Sequence, residues 1–380
     1  MSHQTPQTRR DLIPVEDYVC PAMPTDEWFR TLWQRFRTRL RPPDKSFIAD
    51  DRLKRATLRR LDQVVAPPAC GPVLAELDVS IRDWLSQPPS AERIKAVVLP
   101  PCQDGDVVAA WADGAGHLLL QVDDPGDAKD ALARLDRLPD DPETLLVIPR
   151  LELWHIRDLD GLVQIRALIA QLTRRRQRVV LSCNAWAWAY LSKSTGIDMI
   201  AGKPLCFAPF DAARLRDWFR ELAQDDTTQG FRFRLSDDGT DLFAKDPSEA
   251  ETDFFRKLAA KSRGIPWVAW HMWRRMLHTN EEHGPETRDT LWVAALDELI
   301  LPGDRPRDTL LILHALLLHG RMTTDTLAQV LPIVGASVVP ATLIMSGFVA
   351  RNEDHLSIRA EAYPAVRAGL ENAGMSIGVL

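Results

Sequence analysis

Between Lys95 and Val107 the chain reads KAVVLPPCQDGDV, and the loop in it has the spacing of the phosphate-gripping frame GxxxxGK(S/T). In that frame the first glycine lets backbone amides turn toward phosphate, the lysine neutralises its charge, and the hydroxyl holds magnesium. Here the first glycine position is Pro100, the second is Gly105, the lysine position is Asp106 and the hydroxyl position is Val107. A carboxylate in place of an ammonium repels a triphosphate, and Val107 has no lone pair to offer a metal. The spacing therefore predicts a strand, turn and helix that keep the frame of a nucleotide site without its chemistry.

Other reactive side chains are weaker candidates. Cys102 precedes a helix start, where the dipole favours a thiolate, but Asp104 and Asp106 oppose it and no histidine partner is assignable. Cys183, beside Asn184, reads as a plain buried thiol. His278 and His283 are five apart, as are His314 and His319, so neither pair has the i,i+4 spacing of a helical zinc motif, and no metal is expected. Arg174, Arg175, Arg176 and Arg178 end a helix, where cations complement exposed carbonyls, and a structural role outweighs a phosphate-binding one.

The elements that would position the loop are legible from the change in periodicity. Short apolar runs separated by helices begin at 94, the pattern of a parallel sheet with crossover helices. Strands are predicted at Ile94–Leu99, His117–Val122, Glu143–Ile148, Arg178–Leu181 and Leu205–Phe207, and helices at Asp106–Ala112, Asp127–Leu135 and Leu159–Arg175. Before them come an extended arm over 1–24, a helix over Trp28–Leu40 stopped by Pro42-Pro43, and helical stretches near 50–65 and 72–86. After them come a helix at Asp211–Ala223, a hairpin in which Phe231, Phe233 and Leu235 lead through Asp238-Gly239 to Leu242-Phe243, and helices at 250–262 and 266–278. The last part is predicted as helices at Leu291–Leu301, Arg307–Leu318, Thr324–Leu331 and Ser337–Ser346, then a strand pair, Val349–Asn352 and His355–Ile358.

This order of parts resembles the AAA+/STAND class of P-loop ATPases over roughly 94–360. The phrase AAKSRGIPWVAWHMW at 259–273 looks like the lid segment of that class, and VVLSCNAWAWAYL at 179–191 looks like its sensor strand, with Asn184 at the sensor position. The resemblance implies that Leu145–Ile148 is the Walker B strand, which should end in acidic residues that organise magnesium. Pro149 and Arg150 stand there instead, and Glu152 could serve only if the strand end bulges. The implied fold is a three-layer, P-loop NTPase-like α/β sheet with N-terminal helices, a helical lid and a C-terminal winged helix. Its parts are an N-terminal arm and helices at 1–89, a degenerate P-loop domain at 90–210, a lid with a small hairpin at 211–286 and a winged-helix-like domain at 287–380.

The function expected is regulatory or scaffolding, as a pseudo-ATPase with no catalytic residues and no cofactor. One alternative is an atypical ATP binder, or an ATPase completed by a partner; the other is a winged-helix DNA-associated regulator. The third helix of the winged helix would be SVVPATLIMS at 337–346, which offers no charged or amide side chain to base edges. Over 306–360 four arginines balance four acidic residues, so little counterion release would drive DNA binding. A protein partner is expected instead. Trp28, Phe29, Trp33, Phe36 and Arg37, on a basic amphipathic helix, are the candidate contact residues; membrane contact ranks below packing on the chain's own core or docking to a partner. The net charge of −6, five cysteines without CxxC spacing and the lack of an apolar signal core predict a cytoplasmic, bacterial-style protein of undetermined oligomeric state.

Overall fold

The runs IKAVVL, LLVI and RVVLSCN have no polar alternation, which suits strands covered on both faces. All but one of their residues are buried. In the computed structural model they form the centre of a sheet. The structure describes residues 12–23, 54–55, 71–87, 92–103, 105–223, 232–236, 239–279, 290–295, 299–303, 306–332, 334, 337–375, 378 and 380. The chain forms two compact units, one drawn from 1–18, 70–208 and 299–380, the other from 19–69 and 209–298.

The first unit begins with β1 (Ile13–Pro14), α1 (Gly71–Ser86), β2 (Ile94–Leu99), α2 (Val107–Gly114), β3 (Leu118–Leu119) and α3 (Ala128–Arg137). It continues with β4 (Leu145–Ile148), α4 (Val163–Arg174), β5 (Arg178–Asn184), α5 (Ala185–Thr195), α6 (Asp198–Ala201) and β6 (Leu205–Cys206). The sheet order is β1-β6-β2-β5-β4-β3, all parallel except the edge pair β1/β6. From β2 the chain crosses to the far edge at β3 and returns through β4 and β5, then passes over β2 to β6. The carboxyl end of β2 is therefore the topological switch point, where open α/β sheets form their crevice. The P-loop-like turn lies there, and the register that sets Leu99 opposite Asn184 brings the end of β5 beside it.

In the same unit, α7 (Pro306–His319), β7 (Arg321–Thr323), α8 (Thr324–Val330), α9 (Val339–Met345), β8 (Val349–Asn352), β9 (His355–Ile358) and α10 (Tyr363–Asn372) form a helical group with a three-stranded antiparallel sheet, order β7-β9-β8. The strand pair β8/β9 has the bounds read from the sequence. Strand β7 and helix α10 were not anticipated.

The second unit holds helices Ala212–Ala223, Glu249–Lys261 and Pro266–Met276. The apolar stripes of all three meet at Phe219, Phe255 and Trp273, each 1% exposed or less. The lid-like phrase contains its tightest turn: Gly264 has φ +75, and a Cβ there would come within 2.6 Å of the Pro209 side chain, so only glycine fits.

Several expectations are corrected. The helix expected over Leu291–Leu301 is instead a strand, Thr290–Val293, running parallel to Arg232–Leu235. Its burial alternates, with Leu291 and Val293 inside, which is the period of a strand and not of a helix. The hairpin partner Leu242-Phe243 forms no strand: the return is the single antiparallel bridge Arg234 to Asp241, flanked by the Leu242 N–H donating to the Phe233 carbonyl and the Leu235 N–H to the Thr240 carbonyl, both at 2.9 Å. Part of the N-terminal arm is the edge strand β1. Lys54–Arg55, within a stretch read as helical, pairs as a strand with Leu277–Thr279. The helix expected over Trp28–Leu40, with Trp28, Phe29, Trp33, Phe36 and Arg37, lies outside the described residues. No helix among the described residues is long and apolar enough to cross a membrane.

Candidate functional site

Asp106 is the residue on which the P-loop-like turn closes. It is the N-cap of α2, in extended geometry (φ −91, ψ 97), and its Oδ1 accepts from the backbone N–H of Val108 at 3.1 Å and Ala109 at 2.9 Å. The first amides of such a helix are the donors that a P-loop turns toward phosphate. Here an internal carboxylate already occupies them. Burial raises the Asp106 carboxyl above its ordinary range, against the Ala109 N–H, the Arg150 guanidinium and the Val108 N–H, which favour the charged form.

The rest of the loop has also lost the features of a phosphate cradle. Pro100 is buried at the end of β2 and has no N–H to give. Cys102, not a glycine, makes the left-handed turn at φ 65. A Cβ at Gly105 would meet nothing within 4 Å, so no close approach requires a glycine there. Val107 is buried as the first residue of α2.

Beyond β4, the buried Pro149 leads into Arg150, which turns left-handed at φ 54 and starts a short 3-10 turn, Leu151–Leu153. That turn does what a bulge would have done: it brings Glu152 back under the strand ends. The Glu152 carboxylate accepts the Asn184 backbone N–H at 3.0 Å and lies 3.8 Å from Arg150 Nε. Burial raises its pKa, opposed chiefly by Arg150, while Asp106 pushes it further up. Arg150 thus answers two carboxylates, one from each degenerate motif. Asn184, at the sensor position, spends its side-chain oxygen as the N-cap of α5, accepting from Trp186 N at 3.0 Å and Ala187 N at 2.8 Å. The buried Cys183 thiol is pushed well above its ordinary value, first by burial and then by Glu152, which removes it as a nucleophile.

Two further groups reach this crevice and were missed from sequence, because both come from the C-terminal part. At the end of α7, Gly320 (φ +71) passes so near that a Cβ would lie 3.4 Å from Glu152 Cγ and 3.8 Å from Asn184 Nδ2. The next residue, Arg321, donates to the Asp123 carbonyl at 2.7 Å. On the other side Tyr363 of α10 accepts from Trp186 Nε1 at 3.2 Å, and both its hydroxyl and Arg367 donate to the Leu380 carbonyl. The only signal for Arg367 was an apolar helix pattern, YPAVRAGL, with one arginine in it.

The basic run after α4 is structural. Arg175 donates to the carbonyls of Leu135, Leu138 and Pro139. Arg178 donates to those of Trp84, Leu85 and Gln87.

A parallel sheet with the loop at its switch point, and an acidic turn at the neighbouring strand end, make this an open α/β fold with helices crossing between its strands. No protein-family model and no curated protein matches the chain. Among solved structures it is similar to the Thermotoga maritima RuvB Holliday junction branch migration motor, at 14% identity over 82% of this chain and 99% of that one, with a TM-score of 0.32. It is similar to Cdc6p from Pyrobaculum aerophilum at 12% identity (80% and 94% covered, TM-score 0.32) and to the Aeropyrum pernix ORC2 protein at 11% (84% and 98%, TM-score 0.34). At those scores the likeness decides nothing about what this chain does; its own residues must.

Proposed function

We propose that this chain is a pseudo-ATPase, an AAA+-like core retained as a regulatory or scaffolding module that engages another protein without hydrolysing nucleotide. The observation that carries the reading is the Asp106 carboxylate bound to the first amides of α2. An anion site filled by a tethered anion is closed to a free one: phosphate would have to displace two hydrogen bonds and then sit beside the displaced charge. The absent metal ligand at Val107 and the guanidinium of Arg150 at the Walker B position support the same reading, since neither can organise magnesium. The exposed face of α9 consists of Val338, Ala341, Thr342 and Met345, which favours a protein over DNA as the partner of the winged-helix-like part.

Phosphate release from ATP with magnesium by the full chain is expected at the rate of the protein-free blank. Turnover above the blank that disappears in Glu152→Gln would overturn the reading, because it would make Glu152 the residue that polarises water.

A further inference from the structure

His155 and His319 are 164 positions apart in sequence, yet their rings meet at 4.9 Å between centroids, each 1% exposed. His155 follows the 3-10 turn that carries Glu152 and also stacks on Tyr190 of α5 at 5.5 Å. His319 ends α7 and is joined through Gly320 to Arg321, the residues that lie against the crevice. The contact therefore links the strand ends of the AAA+-like core to the first helix of the winged-helix-like part, inside one compact unit.

We propose that this imidazole pair is an acid-released latch: uncharged, it holds the end of α7 and the start of β7 against the core, and protonation drives the two elements apart. Backbone hydrogen bonds, with Leu151 for His155 and with Glu152 and His155 for His319, favour a proton, but burial outweighs them. Arg157 acts on His319 as a cation, and Arg321 lies two positions further along the chain. The Glu152 carboxylate, on the turn before His155, already accepts the Asn184 N–H and faces Arg150. Asp123 and Asp124 act on Arg321, and Asp124 also lies 3.5 Å from His355 Nε2, a group that lines the same cleft as His319. Tyr190 offers an aromatic face, and Cys183 holds its proton.

The sign follows from burial. It lowers His155 to about 4 and, with the neighbouring imidazole adding to it, His319 to about 3. Above the ordinary histidine value of about 6.5 both are neutral whether latched or free, and pH has no effect. As pH falls below that value, the released form takes up protons that the latched form refuses. At pH 5.0 His155 alone shifts the balance toward release by about 30-fold.

Hydrogen exchange of the full chain at pH 7.5 and 5.0, corrected for the intrinsic pH dependence of exchange, tests this. The expected result is a loss of protection of tenfold or more at 151–156 and 315–323 at pH 5.0, with β2 and β5 unchanged. His319→Gln should weaken that pH response and leave the share carried by His155. Uniform loss across the unit, no loss at the two segments, or an undiminished response in the variant would each overturn the latch. If His319→Gln does not fold, the wild-type comparison of the two segments with β2 and β5 decides alone.

Discussion

Trp273→Ala is expected to destabilise the unit built from 19–69 and 209–298 by about 4 kcal/mol, the middle of the range for emptying a buried aromatic site. Trp273 is fully buried and contacts the rings of Phe219 at 4.9 Å and Phe233 at 5.2 Å, so one deletion opens the junction between two helices and a strand. Neighbouring rings cannot collapse into the space without leaving their own contacts, Phe219 with Phe255 and Phe233 with Phe243. Urea unfolding should show a lower midpoint for this unit, and Trp273→Phe should recover more than half of the loss. A loss below about 1.5 kcal/mol would mean that this aromatic cluster is not the core of the unit.

Arg178→Met should cost the α/β unit about 3 kcal/mol, by a different mechanism. Its guanidinium enters at the first residue of β5 and closes the end of α1. It donates to the carbonyls of Trp84 at 2.9 Å, Leu85 at 2.8 Å and Gln87 at 2.6 Å, and lies 5.3 Å from the centroid of the Trp84 ring. Methionine keeps the packing of the stem but removes the donor to the Leu85 and Gln87 carbonyls and leaves the Trp84 carbonyl with the Gln87 N–H alone. Arg178→Lys supplies one cation without the planar fork and should recover only part of the loss. Equal stability of Arg178→Met and wild type would show that water satisfies those carbonyls instead.

Much of the fold was legible because its signals are local. The apolar runs at 94–99 and 145–148, the capped helix starts and the wing pair at 349–358 are each set by a handful of consecutive residues. The strand at 290–293 was misread because LWVAAL suits a helix by composition, and only its alternating burial against a distant strand reveals the period of two. The site divides in the same way. Pro100, Asp106, Val107, Pro149 and Arg150 were visible as substitutions at fixed spacing. The reach of Glu152 depended on a left-handed Arg150, which no spacing rule gives. That Asp106 would cap α2, and Asn184 α5, is standard N-cap chemistry for those residue types. The His155–His319 contact had no sequence signal at all, since it exists only through the docking of α7.

The amides at the start of α2 are satisfied from within, and calorimetric titration of the full chain with ATP and magnesium tests that most directly. No saturable heat is expected up to millimolar nucleotide. One-to-one binding of ATP in the micromolar range, with its phosphates seated on the amides of Val108 and Ala109 and the Asp106 side chain displaced, would contradict it.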